Sequence, residues 1–144
     1  MTRTAIVTGS ASGIGAATVA ELARRGYRTV GIDKATATEP LNSPEHLAIR
    51  ADVTDEARLI AAFDEALEFL GGLDVLVTSA GVGETTPFMD LTVATFRAVN
   101  EVHVNGTFVC NREAAKRMRS GGRICTVAAP MPLAEPVTMA VRVI

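Results

Sequence analysis

The residues with the clearest chemical meaning lie near the start of the chain, where Thr8 to Gly15 read TGSASGIG. The run holds three glycines in eight residues and directly follows the apolar residues Ala5, Ile6 and Val7. A glycine-rich turn between a strand and a helix presents backbone N–H groups at the positive end of the helix dipole, which is the arrangement that binds phosphate. The pattern therefore predicts a phosphate-binding loop, with an ordinary flexible turn as the alternative.

Each glycine of this loop has a predicted role. Gly9 allows a sharp turn off the strand, Gly13 lets the backbone approach a diphosphate with no side chain between them, and Gly15 lets the helix pack close to the strand. The other candidate cofactor-binding residues of the loop are Ser10, Ser12 and Ile14.

The acidic residue Asp33 follows the second predicted strand, at about the 20-residue offset where dinucleotide-binding folds place the ribose ligand. A carboxylate there accepts hydrogen bonds from both adenosine ribose hydroxyls and repels a 2′-phosphate. The glycine loop contains no Arg to offset that repulsion, so the sequence favours NAD over NADP. Lys34, next to Asp33, keeps NADP open as the less favoured cofactor, and a solvated turn aspartate is the alternative interpretation of Asp33.

A parallel sheet is needed to position these residues, and the chain has the pattern of one. Short apolar runs alternate with longer amphipathic stretches, as βαβ units require. We predict an α/β fold, a Rossmann-like doubly wound parallel sheet of about five strands in the order 3-2-1-4-5. The predicted strands are residues 4–8, 28–32, 47–51, 73–78 and 123–127.

Three helices are predicted between these strands, at about residues 13–25, 55–70 and 92–118. Thr54 is the predicted cap of the second helix, and Gly121-Gly122 the predicted end of the third. Between the second and third strands, two prolines in KATATEPLNSPEH predict a loop or a single turn in place of a helix.

Composition excludes several classes of function. The 144 residues carry a net charge of −2 with scattered Lys and Arg, which gives no surface for nucleic acid or for an anionic membrane. Cys110 and Cys125 lie in apolar surroundings without further ligands at metal-binding spacing, so we predict buried reduced thiols and no metal site. No apolar run is long enough for a signal sequence or a membrane span, and we expect a cytoplasmic protein.

With these motifs established, the chain resembles the short-chain dehydrogenase/reductase family, whose glycine motif has the spacing TGxxxGxG. Asp52-Val53 resembles the family's adenine-contacting pair, TSAG at residues 78–81 stands where the family usually has NNAG, and GGRICTV at residues 121–127 resembles its fifth strand. The resemblance covers about residues 1–129, the predicted NAD-binding domain. It implies hydride transfer between nicotinamide and an alcohol or carbonyl. It also adds four candidate cofactor-binding residues: Asp52, Val53, Ala80 and Gly81.

The same resemblance predicts an incomplete catalytic site, because the family uses a Ser, a Tyr and a Lys four residues after the Tyr. Ala129 takes the place of the Ser, and the chain's one tyrosine, Tyr27, lies between the first helix and the second strand. Residues 130–144 form a divergent tail with three prolines and neither Tyr nor Lys. We therefore expect no catalytic residue, the absence of the family's C-terminal strands and helices, and poor cover over one face of strands four and five.

Two more departures from the family pattern concern the cofactor side. Thr78 and Ser79 replace two asparagines, which loses the amide that usually ties neighbouring loops together. His103 takes the place of a family asparagine, where it either holds a water or relays a proton, or only forms hydrogen bonds within the fold.

Three hypotheses follow from the sequence. The first is a shortened or frame-disrupted NAD-dependent oxidoreductase acting on an alcohol or carbonyl. The second is a non-catalytic dinucleotide-binding module, or a subunit that pairs with a complete homologue. Because the family commonly associates through the long helices after strands four and five, the resemblance also implies that the chain could form a homo-oligomer. The third is a degenerate product that does not fold stably.

Overall fold

The computed structural model describes residues 2–37 and 41–127, which form one parallel sheet flanked by helices. The strands span Thr4–Thr8 (β1), Arg28–Asp33 (β2), His46–Arg50 (β3), Leu73–Thr78 (β4) and Met118–Thr126 (β5). Their order is β3-β2-β1-β4-β5, as predicted. Because the order changes direction between β1 and β4, the carboxyl ends of these two strands border a crevice of the kind in which doubly wound sheets bind ligands.

Helices pack on both faces of the sheet. They span Gly13–Arg24 (α1), Glu56–Leu70 (α2), Val93–Asn100 (α3) and Thr107–Arg117 (α4), with a π-helical segment at Glu101–Gly106 and a short 3-10 turn at Phe88–Asp90. The larger core lies under α2 and α4 and includes Phe63 and Leu76, which are fully buried. A smaller cluster around Val7, Val19 and Val77 lies under α1.

The capping of α2 corrects one prediction. Asp55, not Thr54, is the N-cap residue, and its carboxylate accepts a hydrogen bond from the Arg58 N–H. Thr54 instead donates to Asp52 through both its N–H and its hydroxyl, each at 2.9 Å. The ionised side chain is the stronger acceptor at the positive end of a helix, so Asp55 takes the capping position. The helix ends as predicted at Gly71, whose φ is 72°.

The third helix differs from its prediction because a π-helical segment interrupts it between α3 and α4. It ends at Arg117, within one residue of the predicted bound, but β5 follows directly at Met118, so Gly121-Gly122 do not end the helix. The early start of β5 has a physical cause, because Arg119 binds the Asp74 carboxylate and the Gly71 carbonyl at 3.0 Å each. These contacts hold the chain against β4, so β5 begins at Met118 and the two glycines lie in an irregular stretch within it.

Cover over the last two strands is uneven. Poor cover was predicted for both, yet β4 has buried residues along its length, including Leu73 and Leu76, because it lies between β1 and β5 under α4. None of the residues of β5 is buried, since it is an edge strand. Cys125 on β5 is therefore exposed, contrary to the prediction, whereas Cys110 is buried as predicted. Burial raises the pKa of the Cys110 thiol to about 12.

An ion-pair network joins α4 to α2. Arg112 binds Glu56 at 2.7 Å, and Arg117 binds Asp64 at 2.7 Å, so each arginine of α4 reaches a carboxylate of α2. Both arginines also bind Glu113, whose side chain is almost completely buried. Glu113 is thus the charged centre of the contact between these two helices.

The remaining predictions about organisation concern the connection between β2 and β3, the C-terminal tail and membrane-spanning helices. Residues 34–37 and 41–45 form no helix, as the prolines predicted. Ala129 and the tail at residues 130–144 lie outside the described residues. In the part of the chain that the structure describes, no helix combines the length and the apolar character needed to cross a bilayer.

Candidate functional site

The glycine loop lies at the carboxyl end of β1, in the crevice beside β4. Gly9 has a φ of 69°, and a Cβ on it would lie 2.7 Å from the Ala80 nitrogen. A Cβ on Gly15 would lie 1.9 Å from the Gly9 carbonyl oxygen. Both positions thus require glycine for close backbone contact, so the start of α1 packs directly against the turn that leaves β1.

Gly13 differs from these two glycines because it faces open space. Its φ is 53°, and a Cβ on it would meet no atom within 4 Å. It begins α1, and the N-cap residue Ser12 forms no side-chain capping bond. The described residues provide no acceptor for the backbone N–H groups of the helix start. Those four amides belong to Ser12, Gly13, Ile14 and Gly15.

Most of the predicted residues line one cleft of about 460 Å³ along this loop. An adjoining pocket lies between the ends of β2 and β3 and is bordered by Ile32 and Val102. The predicted residues in the cleft are Gly9, Ser12, Gly13, Ile14, Gly15, Asp33 and Gly81. Those in the adjoining pocket are Gly9, Asp33, Asp52, Val53, Ala80 and Gly81.

Ser10 is the one predicted residue whose side chain the structure places elsewhere. It packs on Gly31, where a Cβ would lie 2.6 Å from the Ser10 hydroxyl oxygen, and it lines a separate pocket behind β2. Its N–H faces the Ile32 carbonyl at 3.5 Å. Because Gly31 leaves room for it, the serine side chain turns toward β2 and away from the cleft.

Asp33 is the last residue of β2, and each of its carboxylate oxygens accepts a hydrogen bond from the backbone. One oxygen accepts a hydrogen bond from the Ala11 N–H and the other from the Ala35 N–H, each at 2.9 Å. A carboxylate oxygen has further lone pairs, so each can accept another hydrogen bond. Asp33 is therefore fixed in place and still able to bind hydroxyl groups that enter the cleft.

Asp52 and Val53 border the adjoining pocket in different ways. The Asp52 carboxylate accepts bonds from Thr54, and the one from the Thr54 N–H makes the largest contribution to lowering its pKa. Val53 is buried, and a Cβ on Gly106 would lie 2.7 Å from its side chain. The π-helical segment therefore approaches this pocket closely at Gly106, and Val53 forms part of its apolar wall.

His103 lies on the π-helical segment and contacts the loop after β4. Its Nε2 atom is 2.8 Å from the Val82 carbonyl oxygen and 3.1 Å from the Val82 nitrogen. A Cβ on Gly81 would lie 2.7 Å from the imidazole ring. The described contacts of the ring nitrogens are thus with the backbone, in agreement with the alternative in which the histidine forms hydrogen bonds within the fold.

Hydroxyl groups of the TSAG segment link neighbouring strand ends. The Ser79 hydroxyl donates to the Thr8 carbonyl at 2.6 Å, and the Thr78 hydroxyl donates to that of Thr126 at 3.0 Å. These bonds join β4 to β1 and β5. The predicted loss of the family's amide stands, and the two hydroxyls form their own hydrogen bonds to the adjacent strands.

Several residues of the site were missed by sequence reasoning, among them Ala11, Val82 and Val102. Ala11 contributes a backbone N–H, and Val82 offers both of its backbone polar groups to His103. Residue type carries no signal for backbone contacts of this kind. Val102 could have been found, since it lies one helical turn before Gly106.

Comparison with known proteins gives the family context of this site. Residues 3–140 match the family model described as short chain dehydrogenase, a span that passes Ala129. The chain is 42% identical over 127 residues to cis-4-hydroxycyclohexanecarboxylate dehydrogenase of Sinomonas cyclohexanicum, covering 83% of this chain and 51% of that protein. It thus spans about half the length of the curated relatives it matches.

Solved structures agree with this result. A short-chain dehydrogenase/reductase from Serratia marcescens superposes with a TM-score of 0.76 at 36% identity, covering 86% of this chain and 56% of the other. A short chain dehydrogenase from Leptospira borgpetersenii, solved with bound NAD+, superposes with a TM-score of 0.75 at 25% identity, covering 81% of this chain and 46% of the other.

Proposed function

Because this chain belongs to the short-chain dehydrogenase family of oxidoreductases, we propose that it binds NAD along the carboxyl edge of its sheet. The family uses nicotinamide dinucleotides, and a bound nicotinamide supplies or accepts the hydride of the reaction. The diphosphate would lie on the amides of Ser12 to Gly15, the adenosine ribose at Asp33, and the adenine in the pocket lined by Val53 and Ala80.

The observation that carries this proposal is the set of amides at the start of α1 that have no acceptor among the described residues. A helix N-terminus with free N–H groups favours an anion through hydrogen bonds and through the helix dipole. Gly13 leaves the approach to these amides open, since a Cβ there would meet nothing within 4 Å. The residues present therefore fit a diphosphate bound at this loop.

The choice of NAD over NADP rests on Asp33. Its carboxylate lies at the end of β2, held by two backbone N–H groups, with lone pairs left for the ribose hydroxyls. A 2′-phosphate in the same place would add a second anion beside it. Among the described residues that line the cleft, Lys34 is the one Lys or Arg, so NADP should bind more weakly than NAD without being excluded.

The proton donor of the family reaction is the part that these residues do not supply. Hydride transfer to a carbonyl needs an acid that protonates the oxygen. The one tyrosine in the 144 residues, Tyr27, lies at the amino end of β2 and contacts Arg3 at 3.3 Å, at the far end of the strand from Asp33. We therefore propose that the 144-residue polypeptide binds the cofactor but transfers hydride slowly.

Cofactor binding is tested by titrating NADH and following its fluorescence, with two matched glycine variants. Gly13→Ala and Gly71→Ala both place a methyl group at a positive φ, with nothing within 4 Å of the new Cβ. Each should cost about 1 kcal/mol of stability, but only Gly13→Ala lies in the cleft. We expect Gly13→Ala to weaken NADH binding at least tenfold and Gly71→Ala to leave it unchanged. No fluorescence change with the wild-type chain at millimolar NADH would refute the proposal.

Exposed apolar side chains on α3, the π-helical segment and α4 favour a second candidate function, a binding subunit that pairs with a complete homologue. Phe96, Val104 and Phe108 are between 53% and 60% exposed, and large apolar side chains exposed together are a feature of protein interaction surfaces. Turnover assays with secondary alcohols, including cis-4-hydroxycyclohexanecarboxylate, separate the two functions. A missing acid should lower the rate by about 10² to 10⁴, and recovery on adding a complete homologue would favour the subunit.

A further inference from the structure

Hydrogen-bond acceptors at the end of β2 face the first three backbone N–H groups of the glycine loop. The Ile32 carbonyl faces the N–H groups of Gly9 and Ser10 at 2.9 and 3.5 Å. The Asp33 carboxylate accepts the next one, from Ala11, at 2.9 Å. The amides that follow, beginning at Ser12, have no acceptor among the described residues. The loop is thus held on its β2 side, and its remaining amides face the cleft.

The bond from Ala11 is the only one of these three that depends on a side chain. The second oxygen of Asp33 accepts the Ala35 N–H at 2.9 Å, so the carboxylate sits between two backbone donors. An asparagine could satisfy only one of them, because its NH₂ group would face the other donor in either orientation. Asp33→Asn can therefore keep the contact to the loop by giving up the one to Ala35, whereas Asp33→Ala removes both contacts.

We propose that Asp33 is a positioning residue for the diphosphate, in addition to its role toward the ribose; this inference rests on the proposed function. By holding the Ala11 N–H, Asp33 keeps the loop in the shape that presents the amides of Ser12 to Gly15. The proposal predicts the direction in which anion affinity changes when Asp33 is replaced. Removing a negative charge beside an anion site should strengthen anion binding, whereas losing the contact that shapes the site should weaken it.

Inorganic pyrophosphate is the probe that separates these effects, since it has no ribose for Asp33 to bind. We would measure pyrophosphate and NADH affinities by calorimetry for the wild-type chain, for Asp33→Ala and for Glu84→Gln. Glu84 lines the same cleft, and its carboxylate contacts Thr86 but not the loop. This control removes an equal charge without removing the contact to Ala11.

We expect Asp33→Ala to bind pyrophosphate about tenfold more weakly, the effect of losing one charge-assisted hydrogen bond to the loop. Glu84→Gln should bind it as well as the wild-type chain or up to about threefold more tightly. Pyrophosphate binding by Asp33→Ala that equals or exceeds that of the wild-type chain would overturn the inference while leaving NAD binding intact. A wild-type chain that binds neither pyrophosphate nor NADH would overturn the proposed function itself, and the inference with it.

Hydrogen exchange of the wild-type chain gives a second measurement that does not depend on the variant folding. The Ala11 amide should be protected without ligand, whereas the Gly13 amide should exchange rapidly and become protected when pyrophosphate binds. Rapid exchange at Ala11 in the free protein would contradict the proposed contact with Asp33.

Discussion

Substituting Glu113 by glutamine should destabilise the protein in a manner that depends on pH. Glu113 is 2% exposed and accepts hydrogen bonds from Lys116 at 2.9 Å, from Arg112 at 2.8 Å and from Arg117. The two arginines also bind carboxylates of α2. Glutamine keeps the size of the side chain but removes the charge at the centre of this network.

The size of the effect follows from the pKa of Glu113. The hydrogen bond from Lys116, followed by that from Arg117, lowers this pKa from 4.5 to about 2. A difference of this size between the folded and unfolded chains corresponds to about 3 kcal/mol of stability. Because the folded pKa is the lower one, this stabilisation is fully present above a pH of about 4.5 and is lost as the pH falls through 2.

Urea unfolding followed by circular dichroism tests this reasoning between pH 7 and pH 3. At pH 7 we expect Glu113→Gln to lower the free energy of unfolding by about 3 kcal/mol, and we expect the difference from the wild-type chain to shrink with falling pH. Glu65→Gln is the control, since Glu65 forms an exposed pair with Arg58 at 2.7 Å that should contribute less than about 1 kcal/mol. A difference that stays constant with pH, or one no larger than that of the control, would refute the assigned role.

Two further predictions concern the cleft. Gly15→Ala would place a methyl group 1.9 Å from the Gly9 carbonyl oxygen, so α1 must move, and NADH affinity measured by fluorescence should fall more than tenfold; an unchanged affinity would show that the loop tolerates the shift. His103→Gln should keep NADH affinity within about twofold, because its amide reaches the position of the histidine Nε2 atom and can donate to the Val82 carbonyl and accept from the Val82 N–H. His103→Ala should weaken NADH binding about threefold or more, and equal affinities of the two His103 variants would contradict this role of the ring.

Much of the fold could be predicted because its signals are local. Four of the five strands lie within one residue of the predicted bounds, since buried parallel strands read as short apolar runs between breakers. The close packing at Gly9 and Gly15 could also be predicted, because the spacing of the glycines reflects a turn in which side chains do not fit. The strand order then places the loop in the crevice.

The features that escaped prediction depend on contacts between distant segments. Ala11 and Asp33 are 22 residues apart, and no residue type signals that a backbone N–H will meet a carboxylate. The early start of β5 depends on Arg119 reaching Asp74, which is 45 residues earlier in the chain. The π-helical segment escaped because residues 92–118 have a helical pattern throughout, and its close approach to Val53 at Gly106 is a contact between distant segments.

The π-helical segment also fixes the spacing along the chain between His103, which contacts the loop after β4, and the core-facing residues Cys110 and Ala114. An extra residue in one turn rotates everything after it by about 100° relative to a regular α-helix. With this rotation, His103 meets Val82 while Cys110 and Ala114 face the core. Deleting one residue from Glu101–Gly106 would restore a regular helix and turn one of these two surfaces toward water. Single-residue insertions and deletions here are therefore far more damaging than substitutions, and any homologue that keeps both contacts must keep the length of this segment.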